Sequence, residues 1–237
     1  MWYDCFNEHL LKKKFENNEI CPCIYIKKTT SIFAIVTIYA DDLNLVGTPE
    51  ELIKVATYLK NEFEMKDLRK INFLSWFPNW TFISNGIFIH QSTYTEKVLK
   101  HFYMDNAHSL STLMVVRSLD AKKDPFQPLK EDEEILVLKV PYLSAIGALM
   151  YLVNCTRLNI AFVVNLLARY SSTPTKRHWN RIKHILRYLH RKTKIGLFYS
   201  ESNSKLIGHA DAGYLSDPHK KRLQTGYLFT YKDTVIF

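Results

Sequence analysis

The chain has 237 residues, 47% of them hydrophobic and 14% aromatic, which excludes a disordered tail and allows one large domain or two small ones. The formal net charge is +9, and residues 169–222 alone carry thirteen Lys or Arg against three acidic residues. This local excess favours polyanionic partners such as nucleic acid backbones, with a solvated helix face as the alternative interpretation.

The first predicted elements are an amphipathic helix over 2–16 and strands over 23–26, 32–39 and 43–46. The last two strands form a hairpin whose tip is Tyr39-Ala40-Asp41-Asp42. Two adjacent carboxylates between apolar strands are suitable ligands for Mg²⁺, because hard cations prefer carboxylate oxygens. A β-turn with two solvated aspartates is the alternative.

A second helix is predicted directly after the hairpin. We expect Thr48 as its N-cap, Pro49 at the first helical position and Glu51 as the residue that closes a capping box. Apolar residues then recur at helical spacing and are expected to pack under the hairpin. These residues are Leu52, Val55, Leu59 and Phe63.

Short strands and a helix are predicted next, followed by an irregular stretch over 105–140 that carries prolines and charges. The strands cover 74–77, 80–83 and 87–90, and the helix runs from Ser92 to about residue 103. Three helices are predicted over 142–154, 159–170 and 176–191. Strands resume over 195–199, 205–211, 224–231 and 235–237.

The predicted helix over 176–191 has one apolar stripe, and its remaining surface is basic without a single acid. The stripe consists of Trp179, Ile182, Leu186 and Leu189, whose spacing predicts core packing. The cations are candidate contacts for a nucleic acid backbone. They are Lys176, Arg177, Arg181, Lys183, Arg187 and Arg191.

The four cysteines, at positions 5, 21, 23 and 155, lack the spacing of a zinc site and indicate reduced thiols. The amino terminus has no basic region followed by an apolar core, so we expect no secretory signal. The most apolar central stretch, over 135–155, is interrupted by Lys139 and Pro141, so we expect no membrane span or membrane partner. These features predict a protein of the cytoplasm or nucleus.

Several motifs occur in the order found in one family. The most specific are Tyr39-Ala40-Asp41-Asp42-Leu43 and the run over 47–52, followed by 63–68, 86–94, 140–152, 210–214 and 225–229. Through these motifs the chain resembles the carboxy-terminal part of the copia-type retrotransposon Pol polyproteins over essentially its whole length.

The resemblance implies an α+β fold in three parts. Residues 1–104 would be the later part of a reverse transcriptase palm, with a Y-x-D-D hairpin, and the start of the thumb. Residues 105–192 would be a helical thumb and connection. Residues 193–237 would begin an RNase H-like domain with an incomplete mixed sheet.

The resemblance also implies residue roles. Asp41 and Asp42 match the acidic pair of the polymerase motif and would be catalytic ligands of Mg²⁺. Tyr39 would support the hairpin near the primer end and contact nucleic acid. Asp211 matches the first RNase H carboxylate and would also be a catalytic metal ligand. The implied partners are an RNA or DNA template–primer, an RNA–DNA hybrid and the rest of a Pol polyprotein.

Both implied catalytic sites are expected to be incomplete. Polymerase chemistry in this family needs a third carboxylate from an earlier palm strand, and RNase H needs several acids, of which residues 1–237 supply one. We therefore expect the isolated chain to have neither polymerase nor nuclease activity. Two alternatives stay open, namely a non-catalytic nucleic acid-binding remnant that uses helix 176–191 and a decayed gene copy without selected function.

Overall fold

The structure is a computed structural model that describes residues 2–39, 42–66, 79–115, 124, 126–127, 133–136, 139–200, 205–217 and 222–236. Its helices and antiparallel sheets confirm the predicted α+β class. The chain folds as two compact units, Met1–Lys70 and Ile71–Phe237, and each is described by itself. Within the described ranges, no helix combines the length and apolar character needed to cross a membrane.

The first unit contains helices α1 (Trp2–Lys12) and α2 (Pro49–Glu62) and the strands β1 (Glu16–Asn17), β2 (Ile24–Lys28), β3 (Phe33–Tyr39) and β4 (Asp42–Gly47). The strands form one antiparallel sheet in the order β1-β2-β3-β4. The predicted helix over 2–16 ends early, because Lys14 adopts a φ of 65° and the following residues pair with β2.

The core of the first unit lies on one face of this sheet. Side chains along β3 alternate between the two faces, so Ala34, Val36 and Ile38 are buried whereas Phe33 and Tyr39 are exposed. The buried face packs against α1 and α2, which confirms the predicted packing of α2 under the hairpin. The other core residues are Phe6, Leu10, Phe15, Tyr25, Val55 and Leu59.

The start of α2 differs from the prediction in one respect. Thr48 occupies the N-cap position and Pro49 opens the helix, but the Thr48 side chain makes no capping hydrogen bond. Glu51 is buried, and its Oε1 accepts a hydrogen bond from Nζ of Lys27 at 2.7 Å. The predicted capping box is therefore wrong, because the Glu51 carboxylate gains more from a cation on the neighbouring sheet than from the helix terminus.

The second unit mixes helices with short strands. The first group comprises β5 (Asn79–Ile83), β6 (Gly86–His90), α3 (Ser92–His101) and α4 (Tyr142–Cys155). The second comprises α5 (Ala161–Ala168), α6 (Lys176–Arg191), β7 (Gly196–Ser200), β8 (Leu206–Asp217), β9 (Arg222–Tyr231) and β10 (Thr234–Ile236). The predicted helix over 159–170 begins as a 3-10 turn at Leu158–Ile160. The predicted strand over 74–77 lies outside the described residues.

Helices α3 to α6 enclose the main core of the second unit. The predicted stripe of α6 is confirmed, since Ile182, Leu186 and Leu189 are fully buried and Trp179 packs against them at the edge. Tyr142 at the start of α4 is buried too, and its hydroxyl donates to the carbonyl of Leu167 at 2.9 Å. This bond ties α4 to α5 inside the core.

A buried arginine, Arg157, caps the carboxy-terminal end of α6. Nη1 of Arg157 donates to the carbonyl of Lys192 at 2.7 Å, and its Nε donates to Oδ1 of Asn159 at 3.3 Å. A cation at this end of a helix is favourable, because the last carbonyls carry partial negative charge. Burial lowers the pKa of the Arg157 guanidinium, whose described acceptors are neutral.

Two small antiparallel sheets complete the second unit, in the orders β5-β6-β7 and β10-β9-β8. Gly86 permits the pairing of β6 with β7, because a Cβ there would lie 2.1 Å from the carbonyl oxygen of Tyr199. The predicted mixed RNase H-like sheet differs from the structure, where β8, β9 and β10 pair only antiparallel. Successive strands joined by short connections pair this way, whereas parallel pairing needs a long crossover.

We expect Glu51→Gln to destabilise the first unit at neutral pH, because it leaves Lys27 without its buried carboxylate. Hydrogen bonding from Lys27 lowers the pKa of Glu51 below its usual value of 4.5. The stabilisation is therefore fully present above the pKa of the unfolded chain and is lost as the pH falls through the lower folded value.

Thermal denaturation over a pH series measures this effect. The difference in melting temperature between wild type and Glu51→Gln should be largest near neutral pH and should shrink in acid. Glu50→Gln removes an exposed neighbouring carboxylate and is the matched control. A constant difference at every pH would contradict the role of the Glu51–Lys27 pair.

Candidate nucleic acid interface

The acidic hairpin lies at one end of the sheet of the first unit. Strands β3 and β4 pair with Tyr39 directly opposite Asp42, so that Ala40 and Asp41 connect them and lie outside the described residues. Directly opposed residues share a face of a sheet. Tyr39 and Asp42 therefore lie on the face opposite to the buried Ile38, and both are exposed.

The described part of this hairpin offers the donor chemistry of a magnesium site through one carboxylate. Carboxylate oxygens are the ligands that Mg²⁺ prefers, and Asp42 supplies one exposed carboxylate. Among the described residues, no group of three or more His, Cys, Asp or Glu side chains is placed to hold a metal ion.

Asp211 lies in the second unit, within β8. Its position is opposite Gly226 of β9, and its side chain is exposed. The sequence predicts a strand that ends at Asp211, but β8 continues to Asp217, because its pairing with β9 extends to the Asp217–Arg222 position after an irregular register. Asp211 is consequently a mid-strand residue.

The six predicted cations of α6 fall into two groups. Lys176, Lys183 and Arg191 are exposed, whereas the other three are partly buried. Arg177 forms a two-pronged ion pair with Glu133, in which Nη2 lies 2.5 Å from Oε2. A planar guanidinium matches a carboxylate in this way. The Arg177 charge is thus already balanced inside the fold.

A segment over 107–112 runs along α6 and accepts hydrogen bonds from it through main-chain carbonyls. Because a carbonyl can only accept, each side chain directs an N–H towards the segment. The sequence does not reveal these contacts, since they join residues far apart in the chain. They run from His184 Nε2 to Thr112 at 3.0 Å, from Arg187 Nε to His108 at 2.6 Å and from His190 Nδ1 to Ala107 at 3.0 Å.

Arg181 is a partly buried cation of α6. Its Nε is buried and has no hydrogen-bond partner among the described residues. Arg177 lies one helical turn away, and burial together with this like charge lowers the pKa of Arg181. An incompletely satisfied guanidinium beside exposed lysines favours the approach of an anion.

His178 is a buried residue that sequence analysis does not single out. Its Nδ1 accepts the main-chain N–H of Thr175 at 3.2 Å, and its Nε2 donates to the carbonyl of Gln127 at 2.9 Å. Its ring stacks on Tyr170, with ring centres 4.1 Å apart. Burial lowers its pKa, so His178 is a neutral structural residue that caps α6. Its place three residues after Thr175 is the signal that sequence analysis could have used.

We expect Arg181→Met to raise the free energy of unfolding by about 1 kcal/mol, because it removes a poorly satisfied charge and keeps most of the apolar stem. Arg177→Met is the matched variant, and we expect it to destabilise the chain because it removes the ion pair with Glu133. Urea denaturation followed by far-UV circular dichroism measures both. Equal destabilisation by the two variants would show that Arg181 is satisfied in the fold.

Comparison with known proteins identifies the family of residues 1–116. Residues 1–116 match a family model described as reverse transcriptase (RNA-dependent DNA polymerase). The secreted RxLR effector protein 161 of Plasmopara viticola is 42% identical over 91 residues, which cover 38% of this chain and 64% of that protein. No solved structure matches the chain.

Two longer relatives cover nearly all of the chain. The retrovirus-related Pol polyprotein from transposon TNT 1-94 of Nicotiana tabacum is 35% identical over 99% of this chain, which spans 18% of the polyprotein. The corresponding polyprotein from transposon RE2 of Arabidopsis thaliana is 25% identical over 96% of this chain, which spans 15% of it. Residues 1–116 therefore carry a reverse transcriptase domain, and nearly the whole chain is similar to copia-type, retrovirus-related Pol polyproteins of transposons, of which it spans less than a fifth.

Proposed function

We propose that the chain acts as the later part of a transposon RNA-directed DNA polymerase and presents the acidic hairpin to the polymerase site. The observation that supports this most directly is the β3–β4 register, in which Tyr39 pairs with Asp42 at the end of the two strands. The match of residues 1–116 to reverse transcriptases supports it independently.

The proposed roles follow the chemistry of each side chain. Asp41 and Asp42 are proposed catalytic residues that would hold Mg²⁺ together with a carboxylate from another part of the polyprotein. Tyr39 is proposed to contact the primer end, because its ring is 75% exposed and nucleobases stack on aromatic surfaces. We expect these two carboxylates alone to be too few for polymerase activity.

The later residues are proposed to belong to an RNase H-like part. Asp211 would be one of its metal-binding carboxylates, and its exposure on β8 leaves it accessible. The three-part division into 1–104, 105–192 and 193–237 is part of this proposal. The free thiols of all four cysteines support a location in the cytoplasm or nucleus.

Primer extension tests the polymerase role. We expect the 237-residue chain alone to extend no primer on an RNA template with Mg²⁺. We expect a chimaera, in which this chain replaces the corresponding segment of the tobacco Pol polyprotein, to extend it. Asp41→Asn or Asp42→Asn should abolish this extension, because an amide is a weaker metal ligand than a carboxylate.

Glu50→Gln is the matched control for the chimaera, since it removes one exposed acid just outside the hairpin. Extension by the isolated chain that disappears in Asp41→Asn would contradict the expected inactivity. A folded chimaera whose activity is insensitive to both aspartate substitutions would refute the proposed role of the hairpin.

A second candidate function is sequence-independent binding of nucleic acid by α6. The specific observation in its favour is that Lys176, Lys183 and Arg191 are exposed beside the poorly balanced Arg181. Because Arg177 and Arg187 bond within the fold, the exposed cations should contribute most of the affinity. Phosphate contacts of this kind weaken steeply with salt.

We expect the double variant Lys176→Glu, Lys183→Glu to weaken binding of a template–primer duplex by about tenfold or more and to reduce the salt slope. Lys97→Glu, Lys100→Glu makes the same charge change on the exposed surface of α3 and is the matched control. Fluorescence anisotropy over a salt series measures both. Equal loss of affinity in the two variants would indicate a general charge effect and refute a role specific to α6.

A further inference from the structure

Four cations of α6 form a row along one side of the helix. At about 100° per residue, Lys176, Lys183, Arg187 and Arg191 fall within a sector of about 80° around the helix axis, with Arg187 at its centre. The other three cations are exposed, whereas Arg187 is only partly exposed. The row is therefore interrupted at its central residue.

The interruption is the segment 107–112, which we call the strap. Nε of Arg187 donates to the carbonyl of His108 at 2.6 Å, and the main-chain N–H of Leu110 donates to the carbonyl of Arg187 at 3.2 Å. Two histidines of α6, one turn to either side of Arg187, bind carbonyls at the two ends of the strap. The strap thus crosses the row of cations at Arg187.

Hydrogen bonds hold the strap on α6 more than apolar burial does. Met104 before the strap is buried, and Leu113 after it packs against the core of the second unit. Of the two apolar strap residues, Ala107 and Leu110, only Ala107 packs against the described core residues. A segment that is anchored at both ends and has few apolar contacts between them opens locally at a low cost in free energy.

Phosphate oxygens are stronger acceptors for Arg187 than the strap provides. The carbonyl of His108 is neutral, whereas a hydrogen bond from a guanidinium to a phosphate joins opposite charges and is roughly twice as strong. A planar guanidinium also binds phosphate through two parallel N–H groups. A nucleic acid backbone that reaches the row therefore competes with the strap for Arg187.

We propose that Arg187 is a concealed part of the nucleic acid-binding surface of α6 and that a bound backbone displaces the strap from it. The strap then weakens binding by the free chain, because part of the binding free energy is used to open it. The proposal rests on nucleic acid binding by α6, the second function proposed above. It adds a central cation to the three exposed ones and places the backbone along this row.

The salt dependence of duplex binding tests whether Arg187 contacts a phosphate. We expect Arg187→Met to reduce the slope of log affinity against log salt concentration by about one, because each phosphate contact contributes about 0.9. Arg187→Lys keeps a cation and should retain the wild-type slope. Lys100→Met removes an exposed cation of α3 and is the matched control, with an unchanged slope expected. Fluorescence anisotropy with a template–primer duplex measures all four chains.

Amide hydrogen exchange tests whether the strap leaves α6. The N–H of Leu110 is bound to α6, whereas the N–H of Met104, just before the strap, bonds to the carbonyl of Leu99 at 2.8 Å. We expect saturating duplex to speed exchange at Leu110 by about tenfold or more and to leave exchange at Met104 unchanged, because only the first bond breaks. NMR spectroscopy of the isotope-labelled chain measures both rates.

A proline substitution weakens the strap without removing a cation. Leu110→Pro removes the N–H that bonds to Arg187, and we expect it to bind the duplex about threefold more tightly than the wild type. Ser111→Pro introduces proline at the exposed neighbour, whose N–H makes no bond to the described residues. We expect this matched control to leave the affinity unchanged.

Far-UV circular dichroism checks that each variant is folded. If the wild type does not bind the duplex, both the function proposed for α6 and the role of the strap are overturned. If the double variant Lys176→Glu, Lys183→Glu weakens binding but Arg187→Met keeps the wild-type salt slope, only the role of the strap is overturned. Exchange at Leu110 that stays constant or slows on binding also overturns it, as does an affinity that Leu110→Pro fails to raise.

Discussion

The second unit depends on burial of the apolar stripe of α6. Ile182, Leu186 and Leu189 have no solvent exposure, and helices α3, α4 and α5 pack around them. When a helix buries one apolar stripe, the side chains on its other faces point towards solvent or neighbouring segments. On α6 six of those side chains are Lys or Arg and none is acidic, so core formation itself creates a positive surface.

That surface is only partly available to ligands. Arg177 is paired with Glu133, and Arg187 donates to the carbonyl of His108. Arg181 keeps a buried Nε without a partner among the described residues. A buried guanidinium nitrogen without a hydrogen-bond partner lowers the free energy of unfolding. Such losses of stability are common at binding surfaces. The exposed lysines beside it add charge without that loss.

Along β3 of the first unit, buried side chains recur every two residues, whereas along α6 they recur about every 3.6 residues. Burial of Ala34, Val36 and Ile38 fixes which face of β3 meets α1 and α2. The same alternation places Tyr39 on the open face, opposite Asp42. Burial of Glu51 against Lys27 then fastens α2 to this sheet. The exposed acidic hairpin is thus a consequence of how the core is packed.

The sequence by itself determined the elements whose signals are local. Apolar residues at helical spacing located α2 and α6 within a few residues, and a run of β-branched and aromatic residues located β3. Local periodicity is sufficient for these elements, because it indicates which face of each element is buried. The family motifs added a resemblance to transposon Pol polyproteins, and the comparisons confirm this resemblance.

Only the tertiary structure decided which distant residues meet. In the fold, Glu51 binds Lys27 and does not cap its helix, and Arg177 pairs with Glu133. His178 accepts a hydrogen bond at the start of α6, and β7 pairs with β6. Among the described strands, the tertiary structure placed β8 at the end of the order β10-β9-β8. These outcomes depend on the free energy of contacts between residues far apart in the chain, and no local pattern encodes that free energy.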